Sequence, residues 1–141
     1  VAIALLATGF AQPARAAVLC VAPSGSVPPG QAKKLGCSPT IYTQIGAAVG
    51  AASADDTLMV LKGVYNEMVT IPSSLTGLSL ISVSGSAKTI IDGTGLQNGI
   101  FDQASGVTIN GFTIRNAEHE GILVQGPAAS CSGSCTATAA E

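Results

Sequence analysis

The chain predicts an all-β solenoid of stacked parallel strands, and three observations carry that expectation. Between Asn98 and Gly126 it reads NGIFDQASGVTINGFTIRNAEHEGILVQG. Apolar runs at Ile100–Phe101, Val107–Ile109, Phe112–Ile114 and Ile122–Val124 are separated there by Asn, Gly, Ser and Asp. Gly and Asn tolerate the φ > 0 conformations of tight corners, so this is strand–corner–strand punctuation. The phrase recurs: Asn98-Gly99-Ile100 and Glu120-Gly121-Ile122 open equivalent strands 22 positions apart, and similar steps back from Ile100 reach Leu78 and Leu58. A second series steps from Phe112–Ile114 to Ile90–Ile91 and Val69–Ile71. Two ladders with one period define a repeating coil. Strands near 58–60, 78–81, 99–101 and 122–124 are therefore expected to stack in parallel, about 4.8 Å apart.

Composition narrows the function classes. The 141 residues are 47% hydrophobic and 10% charged, with no Trp and a formal charge of −2. This is one domain, and a negative chain whose only basic pair is Lys33-Lys34 lacks the clustered cations that bind nucleic acid. Residues 1–16 read as an export signal that starts without its initiator Met. Val1–Phe10 is apolar, and Ala14-Arg15-Ala16 supplies small residues at −3 and −1 for cleavage after Ala16. The apolar run is too short for a stable membrane span. Leu19 before Cys20 is too large for a lipoprotein cleavage site. Loss of Arg15 with the leader takes the formal charge from −2 to −3. The expected localisation is secreted: extracellular, periplasmic or cell-surface.

Four cysteines in an exported chain favour disulfides. Their spacing suggests two local pairs, Cys20–Cys37 and Cys131–Cys135. The first would close a Pro- and Gly-rich loop, residues 17–39, with no core of its own, and tie it to the following helix. A metal site is the alternative use of the thiols, but the single His, His119, is remote from both pairs in sequence, and no metal ligand set is assigned. Ile41, Ile45, Ala48, Val49 and Ala52 then lie on one helical stripe, just after Pro39. This predicts a helix over 40–53 that caps the first coil and its unpaired strand edge. Coils are expected over 54–126. Asp55-Asp56 makes a turn, Thr57–Leu61 a strand, Lys62–Glu67 a corner and Val69–Ile71 the next strand. Alternation would place Asp102 inward beside Ile100, and because a lone buried carboxylate is costly the strand should end before it. Residues 127–141 read as a small-residue loop leading to further coils. An open C-terminal edge is then expected to associate if left uncovered.

These residues resemble a known family. DDTLMVLKGVYNEMVTI, TIIDGTG and NGIFDQASGVTINGFTIRNAEHEGILV are similar to the repeats of right-handed parallel β-helix proteins of the pectin-lyase-like superfamily, of the secreted bacterial type. YTQIGAAVGAASADDTLMVLKGVYNEMVTI resembles their usual entrance: capping helix, acidic turn, first strand and a G-x-Y-x-E corner. The likeness covers about Cys20 to Gly126 and implies a right-handed parallel β-helix of three to four coils with an N-terminal capping helix. Ala54 departs from the Gly that more often precedes the acidic turn in such proteins.

The family's chemistries leave little trace in this chain. The N-T-D, D-D, G-H-G and R-I-K motifs of polygalacturonase-like hydrolases are not formed: Asp55-Asp56 lies at the entrance turn, and His119 sits between Glu118 and Glu120. Lyase-type chemistry would bring calcium as cofactor, which needs about six to eight oxygen ligands, and the acids here are scattered. No other cofactor is implied. The best local constellation is Asp102, Arg115, Glu118, His119 and Glu120, where carboxylates flanking a His could do acid–base work or hold a cation. The plainer reading is a solvated corner whose charges keep the solenoid soluble. Asn110 and Asn116 are read as corner-bonding residues, and Tyr42 and Tyr65 as the aromatic side chains able to stack on sugar.

The expected function is the N-terminal part of a secreted β-helix that binds or processes extracellular polysaccharide or a cell-surface glycan, with catalytic residues not evident in this chain. If the protein is an enzyme, it is a polysaccharide lyase or glycoside hydrolase. The alternative is a non-catalytic structural, adhesive or sugar-binding module, and a periplasmic copper-enzyme accessory role is a weaker third.

Overall fold

A computed structural model describes residues 15–125. The elements in chain order are β1 (Val18–Val21), α1 (Pro29–Leu35), β2 (Ile41–Tyr42), α2 (Ile45–Ala51), β3 (Thr57–Val60), β4 (Gly63–Tyr65), β5 (Val69–Ile71), β6 (Ser79–Ser82), β7 (Thr89–Asp92), β8 (Asn98–Asp102), β9 (Thr108–Asn110), β10 (Thr113–Arg115) and β11 (Glu120–Val124). Every strand pairing is parallel. The strands form three sheets in the orders β2-β1-β3-β6-β9, β10-β7-β4 and β11-β8-β5. Each coil therefore contributes one strand to each of three faces: β3-β4-β5, then β6-β7-β8, then β9-β10-β11. This is a right-handed parallel β-helix.

The inward ladders explain the core. Leu58, Leu80 and Ile109 stack on the first face, Tyr65, Ile91 and Ile114 on the second, and Val69, Ile100 and Ile122 on the third. All but the last are buried, and Ile122 packs on the same cluster from the final coil. Alternation along each strand places these side chains inside and their neighbours outside.

The register corrects part of the predicted stacking. Ile100 does pair with Ile122, and Leu58 with Leu80. Strand 78–81, however, does not stack on 99–101: Leu80 continues to Ile109, while Ile100 lies on Val69. The even step of 20–22 residues fails because the corners differ in length. Thr57 pairs with Ser79 but Ser79 with Thr108, and Val69 reaches as far as Ile100. Two ladders seen in the sequence are thus three faces, and the segment read as the Lys62–Glu67 corner contains β4, with Gly63 paired to Thr89 and Tyr65 to Ile91. Glycine is required there, since a side chain at Gly63 would collide with the Pro23 ring.

The N-terminal end is more built than a loop and a helix. Within residues 17–39, β1 extends the first sheet beyond β3, with Leu19 on Leu58 and Val21 on Val60, and Leu19, Cys20 and Val21 are buried. Cys20 is bridged to Cys37, 5.4 Å away between Cα atoms, just beyond the Gly36 cap of α1. The bridge thus ties β1 to the segment after α1 rather than to the later helix. Cys131–Cys135 and most of residues 1–16, read above as an export signal, lie outside the described residues.

The predicted helix is shorter than 40–53. Ile41 and Tyr42 pair with Cys20 and Val21 as β2, leaving Ile45–Ala51 as α2. Ile45, Ala48 and Val49 are its buried face, packed into the core cluster. The edge of the first sheet is therefore covered by β1 and β2, and the helix closes the interior instead. Its N-terminus is held by Glu67, whose carboxylate accepts from the backbone N–H of Ile45 and of Gly46, each at 2.7 Å. Such a cap stabilises by about 0.5–2 kcal/mol. The last residue of the G-x-Y-x-E corner is thus a helix cap.

Candidate functional site

The candidate residues fall at two corners. One lies between the second and third faces, where β7 runs into β8 and β10 into β11. Asp92 ends β7 and Arg115 ends β10, in register across adjacent coils. Asp92 is buried, and its Oδ2 accepts from Arg115 Nε at 2.9 Å. Its Oδ1 accepts from the Thr94 hydroxyl at 2.6 Å and the Thr94 N–H at 3.1 Å. Asn116 Nδ2 adds donations to both oxygens, at 3.1 and 3.2 Å. The Thr94 and Asn116 bonds, aided by Arg115, hold the carboxyl well below the usual carboxylate range against the cost of burial. Asn116 adopts the left-handed φ of 59° needed to bring its amide back to Asp92.

Above this carboxylate the two corner loops stack by backbone bonds. Gly93 N–H donates to Arg115 O at 2.9 Å, Glu118 N–H to Leu96 O at 2.9 Å and His119 N–H to Gln97 O at 2.8 Å. The loops approach closely, because a Cβ on Gly93 would lie 3.0 Å from Ala117 Cα. The Asn98 amide, oriented by its partners, donates to Gln97 O at 3.1 Å and Glu120 Oε2 at 2.8 Å. Glu118, His119 and Glu120 are all exposed.

Asp102 stands apart. It is the last residue of β8, whereas the first corner meets β8 at Asn98, roughly 13 Å away at strand rise. The expectation that the strand stops before it is overturned: Asp102 pairs in register with Ile71 and Val124 and is buried. Its Oδ1 accepts the Ala104 N–H at 2.9 Å, an Asx-type turn that relieves part of the burial cost. Burial still pushes its pKa up, with the Ala104 bond opposing. The five-residue constellation is therefore split, with Arg115, Glu118, His119 and Glu120 at one corner and Asp102 at the next.

The remaining candidates serve the framework. Asp56 is buried and accepts from Ala17 and Ser53 N–H groups. Asp55 occupies a left-handed turn position. Tyr65 is buried, donates its hydroxyl to Leu61 O at 2.8 Å and is pushed far up in pKa by burial, with the Glu67 charge adding to it. Tyr42 packs partly buried on the core. Tyr65 therefore presents no open ring, and Asn110 is exposed at the end of β9. Among the described residues, no three His, Cys, Asp or Glu side chains gather closely enough to hold a metal ion. Among the described residues no helix is long and apolar enough to cross a membrane.

Sequence reasoning missed Asp92, Thr94 and Asn98. A signal existed: aligning Ile90–Ile91 with Thr113–Ile114 places Asp92 directly under Arg115. Also missed was Phe101, half-buried on the outer face of β8 between Thr70 and Leu123.

The fold and corners define a parallel β-helix whose described acids are mostly engaged in its own framework. No protein-family model matches the chain, and no curated protein matches it. Among solved structures it is similar to a pectin methylesterase from carrot, at 16% identity and a TM-score of 0.58, over 82% of this chain and 37% of that one. At that identity the likeness is one of fold, and the chain spans little more than a third of that protein's length.

Proposed function

We propose that this chain is the capped N-terminal part of an exported β-helix protein that binds extracellular polysaccharide of the pectic type, and that its three described coils bind rather than cleave. The observation that carries the reading is the fold shared with a pectin methylesterase over most of this chain and a minority of that one. The commitment of Asp92, Asp56 and Glu67 to framework bonds supports a non-catalytic role for these coils. The surface offered to sugar is the outer face of the third sheet, where Thr70, Phe101 and Leu123 form one cross-coil row. A partly exposed aromatic ring with a hydroxyl and an apolar neighbour suits the mixed faces of a sugar ring.

The test is affinity electrophoresis of the purified protein through gels containing pectin, polygalacturonate or a neutral glucan. Retardation by a pectic polymer, reduced about fivefold or more by Phe101→Ala, is expected, with no release of reducing or unsaturated ends with or without calcium. Absence of retardation in every gel would replace this reading with a structural or adhesive module. Release of sugar ends that is abolished by substituting Asp102, Arg115 or His119 would show the coils to be catalytic.

A further inference from the structure

We propose that removal of the leader after Ala16 creates an α-ammonium group at Ala17 that docks on the buried carboxylate of Asp56, so that processing itself locks the N-terminal strand onto the solenoid. The seat is already formed. Ala17 N lies 2.7 Å from Asp56 Oδ1, and Asp56 is only 5% exposed. The other carboxylate oxygen is held by the Ser53 N–H at 2.8 Å, which fixes the group's direction. Ala17 is pinned from its other side as well, because its carbonyl accepts the Thr57 N–H at 2.9 Å. β1 begins at the next residue, with Val18 paired to Thr57 and its carbonyl accepting the Ser38 N–H at 2.8 Å. Arg15, Ala16 and Ala17 are all exposed, and burial begins only beyond Val18, so what sets Ala17 apart is its backbone bonding. Hydrogen bonding to the framework thus begins at Ala17, just after the bond that the Ala14-Arg15-Ala16 signal marks for cleavage.

The chemistry balances. Water adds across the Ala16–Ala17 amide, the C–N bond breaks, Ala16 leaves as a carboxylate, and the nitrogen takes up protons to become the ammonium of Ala17. A neutral N–H facing a carboxylate is thereby replaced by a cation at the same place. Charge-assisted bonds of this kind are roughly twice as strong as neutral ones, and the burial of Asp56 reduces screening on the carboxylate's side of the pair. The elements packed on Ala17 bring few other charges. The turn before β3 carries Asp55 and Asp56, and residues 36–38 carry only the disulfide-bonded Cys37. Arg15, on its own segment, departs with the leader.

An exposed α-amine titrates near 7.7–8.0. Held by Asp56 it stays protonated to higher pH in the folded state. The added stability is therefore complete below the ordinary value and lost as pH rises through the folded-state value.

The experiment is export of the full chain, N-terminal sequencing, and denaturation from pH 6 to 10, beside a leader-retaining form blocked by Ala16→Leu. The difference between the two forms cancels the other titrating groups. Expected are a first residue of Ala17, a midpoint for the processed form on the order of 5 °C higher at pH 6, and a shrinking advantage toward pH 10. Asp56→Asn keeps an acceptor for Ser53 and should abolish the difference. Should that variant not fold, acylation of the α-amine at pH 7 decides, with at least about tenfold slower reaction expected in the native protein than in the denatured one. A first residue other than Ala17, equal pH profiles for the two forms, or an unprotected α-amine would each overturn the proposal.

Discussion

Asp92 and Asp102 close successive strands of the same coil and are almost equally buried, at 8% and 5% exposure, yet their surroundings drive them in opposite directions. Asp92 collects donors from Thr94 within its own corner and from Arg115 and Asn116 in the next coil, and it is held ionised. Asp102 has Ile71 and Val124 in register and a single backbone donor, and burial favours its neutral form. In a solenoid each position is flanked by the same position one coil up and one coil down. What stands there, rather than depth alone, decides whether a buried acid serves the fold or strains it.

The largest effect that could break this contrast is at Asp92. Asp92→Ala would leave Arg115, Asn116 and Thr94 without their shared acceptor. A loss of about 2–3 kcal/mol at pH 7 is expected, taking charge-assisted hydrogen bonds at about 1.5–3 kcal/mol and discounting the half-exposed guanidinium. Because the folded-state pKa is lowered, the stability it supplies is present at neutral pH. It is lost as pH falls from the ordinary Asp value of about 3.9 through the folded value. Urea denaturation at pH 7 and pH 3 should therefore show the variant less acid-sensitive than the natural chain. A change below about 0.5 kcal/mol would mean that the corner is held by its backbone alone.

Asp102 should respond with the opposite sign and a smaller size. Its pKa is raised, so the natural chain carries a penalty above the folded value that is relieved as pH falls through it. Asp102→Asn retains an acceptor for Ala104 without a charge, and a gain of about 0.5–1 kcal/mol at pH 7 is expected, disappearing in acid. A loss of stability at pH 7 would indicate that the carboxylate has a bonding role beyond the Ala104 turn.

Much of this fold is legible in the chain because strands must alternate and corners need residues tolerant of φ > 0. The runs at Thr57–Val60, Val69–Ile71, Thr89–Ile91 and Ile122–Val124 are strands where they were expected. The number of faces was hidden, because Gly63–Tyr65 is only three residues long and opens on a glycine, so it does not separate from a corner, and unequal corners break the period. β1 was hidden for a different reason: an apolar VLCV before a proline-rich segment finds its partners only in the two-residue β2 and in β3, 39 positions along the chain. The charged corner was half legible. Arg115 and the Glu118–Glu120 run stand out by composition, but Asp92 becomes significant only once Ile91 and Ile114 are stacked. Asp102 was expected to escape burial, and the Ala104 turn that accommodates it depends on the geometry of the corner rather than on residue type.

The smallest expected effect sharpens the same comparison at the exposed rim of the first corner. Glu118 and His119 hold their loop through backbone N–H bonds to Leu96 and Gln97, which any side chain preserves. Both side chains are exposed, so Glu118→Gln and His119→Ala should each change stability by less than about 0.5 kcal/mol. Glu120 differs slightly, since its Oε2 receives the Asn98 amide and Glu120→Gln should cost a few tenths of a kcal/mol. Pectin-gel retardation should be unchanged in all three, because the Thr70, Phe101 and Leu123 row lies on the outer face of the third sheet rather than at this rim. If His119→Ala alone weakened retardation about fivefold while leaving urea midpoints in place, the corner would have to be counted as part of the sugar-binding surface. The division between a structural corner and a binding face would then be wrong.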